Sequence, residues 1–277
     1  MVPVTKALGV PLVTSLYGVD AAVLPYLPQW RDQYARLFRD GDLFLAEGPE
    51  MRKKVIAAGA PADRTFIHPI ALDLSKYPRW NPAPTPTVLF AGRFVEKKGL
   101  LDAIAAFGRA HARVSAARLV VIGGGPEQDR ARALVDRLRL GAVVEFVGMQ
   151  PHADVIRRLS AAAVLIHPSI TAADGDSEGG APTILLEAQA IGTPIVTTHH
   201  ADIPHVVPAG PGVLLCAERD VEALGDAVVT ALERREPSSA EHVRQHHDVT
   251  QVIDRLENIY MAIVEQPALA PTGERLA

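Results

Sequence analysis

An α/β protein with parallel sheets is the fold this sequence predicts, and three observations predict it. Short apolar runs of strand length alternate with longer amphipathic or alanine-rich stretches along most of the 277 residues. A proline-rich stretch, YPRWNPAPTP at residues 77–86, interrupts that alternation once and divides the chain. The composition, 48% hydrophobic and 22% charged with 5% aromatic, is that of an ordinary globular domain rather than a disordered or fibrous one.

Before the prolines, VPLVTS at residues 10–15 reads as a strand and residues 30–39 as an amphipathic helix. DLFLA at 42–46 is a second strand, 49–58 a helix stopped by Gly59, and 64–69 a third strand. After the prolines the alternation is regular. Strands are expected at 87–91, 118–122, 143–147, 164–167, 194–197 and 212–216, with helices at 100–112, 127–138, 153–161, 183–191 and 221–234. Crossovers of this length make the strands parallel and place helices on both faces. The predicted organisation is a partial amino-terminal unit at 1–80, a linker at 81–86 and a second unit at 87–240. A single helix at 241–265 then returns to the first unit, and a loose tail follows at 266–277.

Several classes of function are excluded or disfavoured. A net charge of −4 and a pI near 6.2 argue against a general nucleic-acid binder. The single cysteine, Cys216, rules out an internal disulfide and lies in the apolar run GVLLC, as a buried structural thiol does. The first residues lack a signal-peptide core and no window reaches the length of a membrane span, so the cytoplasm is the expected location. His242 and His246 stand four apart on a predicted helix, but no glutamate follows and no third ligand is evident. They and His199, His200, His205 and His247 read as surface histidines, with no metal site. Arg31, Arg36, Arg39 and the Arg52-Lys53-Lys54 run read as solvated helix faces.

The chemistry concentrates in DGDSEGGAPTILLEAQAI at residues 174–191. A glycine-rich loop passes through Ala181-Pro182-Thr183 into an apolar helix ended by Gly192. The unpaired amides and positive dipole end of that helix favour an anion, phosphate above all. Glu178 before the helix and Glu187 within it offer acceptors for hydroxyl groups, so the arrangement suits a nucleotide sugar. Gly92-Arg93 follows the first strand of the second unit, and Lys98 follows five residues later; two such cations could neutralise a diphosphate. GGGP at 123–126 fits neither a dinucleotide fingerprint nor a Walker A loop, and marks only a sharp backbone turn.

Taken together, AGRFVEKKG at 91–99, VIGGGP at 121–126, VEFVGMQPH at 144–152 and HPSITAADGDSEGGAPTILLEAQAIGTPIV at 167–196 resemble the retaining glycosyltransferase family 4. The DGDSEG form looks most like its exopolysaccharide-assembly branch. The resemblance implies a GT-B fold of two Rossmann-like domains, the first one incomplete here. It also implies a hexosyltransferase-type enzyme that moves a sugar from a nucleoside diphosphate sugar to a saccharide or lipid-linked saccharide acceptor. It implies donor contacts from Gly92, Arg93, Lys98, Glu178, Gly179, Gly180, Ala181, Pro182, Thr183 and Glu187, with Met149 and Gln150 beside the base, and no metal or other cofactor. Arg93, Lys98 and Glu178 would act at the reacting centre, and Asp20 is the candidate on the first unit, where many relatives carry a histidine at the position of Tyr17. A leaving phosphate that itself takes the acceptor proton removes the need for an enzyme nucleophile. Glu178 and Glu187 stand one residue further apart than the family's usual pair, the extra residue falling in the Gly179-Gly180-Ala181 loop. A lipid-linked acceptor would place the protein at the inner face of the membrane. The shortened first unit implies a truncated gene product or a second chain that completes it; the rival readings are a non-catalytic or split-enzyme donor-binding fragment and another GT-B enzyme such as an epimerase.

Overall fold

The computed structural model describes residues 1–265, so the tail expected at 266–277 lies outside the described residues. In the first unit α1 (Val2–Leu8) precedes β1 (Val13–Leu16), α2 (Val19–Ala22), α3 (Pro28–Asp40), β2 (Leu43–Ala46), α4 (Pro49–Ala57) and β3 (Thr65–Ile67). Proline at the first position starts both α3 and α4, where its missing N–H is no loss. The second unit runs β4 (Thr87–Ala91), α5 (Leu100–Arg113), β5 (Arg118–Ile122), α6 (Gln128–Arg137), β6 (Val144–Gly148), α7 (His152–Ala161) and β7 (Val164–His167). It continues with α8 (Thr183–Ile191), β8 (Ile195–Thr198), α9 (Ile203–Val206), β9 (Val213–Cys216) and α10 (Val221–Arg234), followed by α11 (Glu241–His246) and α12 (Val249–Glu265).

Both sheets are parallel, as the alternation predicts. The first has the order β1-β2-β3 and the second β6-β5-β4-β7-β8-β9. The second order is that of a doubly wound dinucleotide-type sheet, in which the winding reverses between β4 and β7. Helices α5, α6 and α10 cover one face, packing Ile104, Phe107, Leu134, Val228 and Leu232 against Val88, Phe90 and Val164. Helices α7, α8 and α11 cover the other, where Leu159, Leu185, Leu186 and Val243 meet Leu89, Leu165 and Ile195. Cys216 is buried at the edge of the first of these clusters, and burial raises its thiol pKa.

In the first sheet β2 is buried along its whole length, and its two faces alternate with a period of two. Phe44 and Ala46 meet Phe38, Met51 and Val55 of α3 and α4. Leu43 and Leu45 meet Ile259 and Ile263 of α12. The single helix expected over 241–265 is in fact two. Leu72 donates its N–H to the carbonyl of His247 at 2.7 Å and accepts from the N–H of Val249 at 3.0 Å, forming a parallel bridge with Asp248. Those backbone groups are thereby withdrawn from the helical ladder at the point where the chain passes from the second unit to the first.

The proline stretch is strapped to the second unit rather than spanning open space. Trp80, Asn81 and Ala83 donate backbone N–H groups to Ile191, Ser160 and Ala161, each at 2.9 Å, and the Trp80 indole donates to Ala162 O at 2.7 Å. On α4 Lys53 is solvated as expected, whereas Arg52 and Lys54 depart from that expectation. Arg52 donates to the carbonyls of Thr65 and Ala62, and Lys54 reaches the second unit. Nor are all the histidines on the surface, since His200 and His247 are buried. His247 contacts Ile70 O through Nδ1, and burial beside His246 and Arg255 lowers its pKa. Burial and the neighbouring His246 and His247 bring His242 down to about 4. Among the described residues no three His, Cys, Asp or Glu side chains converge as a metal site.

Candidate active site

The carboxyl ends of β4 and β7 flank the reversal of the sheet, which is where open α/β sheets hold ligands. From β4 the chain enters Gly92-Arg93 and a short 3-10 turn at Glu96–Lys98; from β7 it enters Pro168-Ser169 and the acidic loop that leads into α8. The glycines of GGGP serve this packing. A side chain at Gly123 would strike the carbonyl of Gly92, and one at Gly125 the backbone of Phe94, so the turns after β4 and β5 approach backbone to backbone. Beneath them His167 stacks on Phe90 with ring centroids 5.5 Å apart. Burial, with Lys98 nearby, keeps this histidine neutral.

Lys98 and Glu178 form the centre of the cleft. The Lys98 ammonium lies 2.8 and 2.9 Å from the two oxygens of Glu178, with both side chains largely buried. Ser169 donates to Glu178 Oε1 at 3.0 Å. The Glu178 backbone N–H donates to His200 Nε2 at 3.1 Å, and His200 Nδ1 faces Glu218 at 2.6 Å, a pattern that assigns the ring proton to Nδ1. Burial raises the Glu218 pKa, but hydrogen bonds from Thr171 and His200 outweigh it and hold the carboxyl below its usual value. Lys97 is 6% exposed and donates to Asp176 and to the Ser177 carbonyl, both at 3.0 Å. Adjacent lysines thus divide the work: Lys97 pins the loop and Lys98 faces the cleft. Arg93 is exposed, and among the described residues no group pairs with its side chain.

Helix α8 starts at Thr183 with Pro182 at its cap and no side chain bonded to its first amides. Its first amides therefore have no side-chain partner, and its positive dipole end follows directly on the loop that carries Glu178. Gly192, in the left-handed region at φ 95°, ends the helix. Glu187, 6% exposed, accepts from His152 Nε2 at 2.7 Å and from the Tyr77 hydroxyl at 3.4 Å. Burial and the Glu187 charge push the Tyr77 pKa up to about 12, so it remains a donor. Met149 is 74% exposed, while Gln150 donates to Val147 O at 2.7 Å and shapes its loop.

The first unit closes against this site. Gly179 packs on Gly18 and Met51, and Gly180 on Glu47, so closely that neither position has room for a Cβ. Asp202 accepts from the N–H groups of Glu50 and Met51 at 2.7 and 3.0 Å, capping α4 from the opposite unit, and Lys54 Nζ donates to Ser177 Oγ at 2.8 Å. Asp20 does not present a free carboxylate to the cleft. Both of its oxygens accept from Tyr17 N–H, at 2.8 and 2.9 Å, and it shapes the turn into α2. Among the described residues the carboxyl of Glu47, directly after β2, receives no hydrogen bond, and the sequence reading missed it. Its position at the carboxyl end of a strand was the available signal. Lys97, Lys54, His200 and Asp202 were missed too, because each acts across distances of chain that no local pattern reports.

The profile of the glycosyl transferases group 1 family matches residues 79–246, well over half of the sequence. The chain belongs to that family. It is 33% identical to the putative colanic acid biosynthesis glycosyltransferase WcaL of Salmonella typhimurium, over 77% of this chain and 53% of that protein. It is 31% identical to the amylovoran biosynthesis glycosyltransferase AmsK of Erwinia amylovora, over 76% of this chain and 53% of that one. The chain therefore spans about half the length of these curated relatives. Anabaena Alr3699/HepE, solved in complex with UDP, superposes with a TM-score of 0.80 at 20% identity over 94% of this chain and 75% of its own. Sucrose-phosphate synthase from Thermosynechococcus elongatus gives 0.75 at 20% identity over 95% and 71%. These likenesses establish the two-domain GT-B type of fold that the resemblance implies. Among the described residues no helix is long and apolar enough to cross a membrane.

Proposed function

We propose that this chain binds a nucleoside diphosphate sugar in the cleft and transfers the sugar, with retention, to a hydroxyl acceptor in cell-surface or exopolysaccharide assembly. The observation that carries this reading is the buried Lys98–Glu178 pair at the reversal of the sheet, just ahead of the start of α8, which has no side-chain cap. The barrier lies in parting the anomeric carbon from the diphosphate, so developing negative charge on the leaving phosphate must be met by fixed positive groups. Arg93, Lys98 and the backbone N–H groups of Gly179, Gly180, Ala181 and Thr183 supply them from the protein itself. An incoming diphosphate competes with Glu178 for Lys98 and frees that carboxylate for the hydroxyls of the transferred sugar. Glu187 keeps lone pairs for the ribose hydroxyls beyond those used by His152 and Tyr77. Met149 and Gln150 border the base. The acceptor hydroxyl attacks from the face that the phosphate leaves. Family membership supports this reading, and the complex of the similarly folded HepE with UDP is consistent with it.

The test is a thermal-shift panel of UDP, GDP and ADP, with Arg93→Ala and Glu187→Ala as controls. A nucleotide at a hundred times its dissociation constant adds about 2.7 kcal/mol to the stability of the native state. Selective stabilisation by one nucleotide, lost in both variants, is the expected result; no shift from a folded chain rejects the donor reading.

A second reading has its own observation. β1 is an edge strand of a three-stranded parallel sheet, with backbone groups unpaired on one side among the described residues. A partner chain of about a hundred residues, the size of a typical domain, could add strands there and complete the acceptor side. Nucleotide binding without transfer, with transfer restored by such a partner, would favour this form.

A further inference from the structure

We propose that Glu47 is the base that takes the proton of the attacking hydroxyl, a role the sequence alone leaves to the leaving phosphate. The inference rests on the donor reading above and adds a residue from the opposite unit to it. Glu47 follows β2 at the carboxyl end of the first sheet, and its backbone N–H is held by Met51 Sδ at 3.4 Å. Its carboxyl lies against Gly180, in the loop that delivers Glu178 and α8 to the cleft. Among the described residues no donor is hydrogen-bonded to that carboxyl, whereas the other acidic groups around the cleft are all engaged. Glu178 is held by Lys98 and Ser169, Asp20 by Tyr17, and Asp202 by the amides of Glu50 and Met51. An unengaged carboxyl facing the donor loop from the acceptor side is suited to meet a hydroxyl arriving there.

The charges that face Glu47 set its proton affinity. Burial comes first, and Asp202 from the start of α9, Asp20 from α2 and Glu178 from the donor loop add to it, while Lys98 opposes; together they raise the carboxyl to about 7. A base that gains its proton near neutral pH combines a populated ionised form with useful basicity, whereas an ordinary glutamate is too weak a base. In the proposed step the acceptor O–H bond breaks and its proton moves to the Glu47 carboxylate. The acceptor oxygen bonds to the anomeric carbon, and the bond from that carbon to the phosphate oxygen breaks, its electron pair leaving with the nucleoside diphosphate. With water as the acceptor the same step releases free sugar, so the step can be tested without knowing the natural acceptor.

The experiment compares the wild-type chain with Glu47→Gln and Glu47→Asp. Nucleotide thermal shifts are measured first, then release of sugar to water from the nucleoside diphosphate sugar of the nucleotide that binds, across neutral pH. The expected result is an unchanged nucleotide shift in Glu47→Gln with release lowered by about a hundredfold, the lower end of the range for losing a positioned base. The wild-type rate should rise with pH through about 7 and then level, that limb should vanish in Glu47→Gln, and Glu47→Asp should recover part of the rate. An unchanged rate and pH limb in Glu47→Gln would overturn the proposal. So would loss of nucleotide binding in that variant, which would place Glu47 in donor binding, or a wild-type chain that binds nucleotide yet releases no sugar. Failure of every nucleotide to bind the wild type would instead reject the donor reading, and this proposal with it.

Discussion

The second unit covers both faces of its six strands with helices drawn from its own stretch of chain or from α11 just beyond it. The three strands of the first have one face covered by α3 and α4 and the other by Ile259 and Ile263 of α12, which arrives from the far end of the sequence. Even the amino end of α4 is capped by a carboxylate of the second unit, that of Asp202. A unit that completes its own core can hold a set of binding groups in fixed geometry. The smaller one depends on its neighbour, so its placement over the cleft and its stability are linked. The groups proposed to hold the donor accordingly lie on the self-sufficient side, and the group proposed to act on the acceptor lies on the dependent one.

The sharpest way to break this comparison is at the donor side. Lys98→Ala should lower sugar release or transfer by about 10²- to 10³-fold, by analogy with removing one preorganised charge-stabilising donor, and should also lower the melting temperature, because it leaves the largely buried Glu178 carboxylate unpaired, whereas Lys98→Arg should keep the stability. A large loss of stability with little loss of rate would show that the Lys98–Glu178 pair is architectural. Next in size, Ile259→Ala should cost about 2–4 kcal/mol, as buried aliphatic truncations do, and for a chain of this size lower the melting temperature by several degrees. If the first sheet depends on α12, its amides will lose hydrogen-exchange protection in this variant while those of β4 and β7 keep theirs.

Asp202→Ala should cost about 1–2 kcal/mol, the loss of a helix cap, and should open the cleft. A larger radius of gyration in solution scattering with unchanged circular dichroism is the expected signature; an unchanged radius would mean that Gly179, Gly180 and Lys54 hold the units together without it.

The smallest effect expected is on acid stability, at α11, where His242 is only half-buried and solvent screens its charge. His242 has a folded pKa of about 4 against an ordinary value of 6.5, so between those values the unfolded chain binds the extra proton. Its contribution is present above pH 6.5 and is lost as pH falls towards 4. The melting temperature of the wild type should decline through that window, less steeply in His242→Gln.

Most of the second unit was legible in the sequence because its signals are local. The strands at 87–91, 118–122 and 164–167 and the helices at 183–191 and 221–234 have the bounds that apolar runs and glycine stops indicate. Short helices such as α1, α2 and α9 escaped, since four to seven residues hold too few turns for a periodic pattern to emerge. The split between α11 and α12 escaped for another reason. Residues 241–265 carry helical propensity throughout, and it is the distant Leu72 that withdraws the His247 carbonyl and the Val249 N–H.

For the candidate site, the sequence singled out the 174–191 loop and helix start, Arg93, Lys98 and Glu187, because glycines, charges and a helix boundary lie within a few residues of one another. Tertiary structure decided which groups are engaged and which are free. The chain alone made Asp20 the candidate on the first unit and said nothing of Glu47, but the fold spends the Asp20 carboxylate on a turn and leaves that of Glu47 facing the donor loop. Sequence patterns record preferences of neighbouring residues, whereas the state of a carboxyl depends on burial, on opposing charges and on donors that folding alone brings within reach.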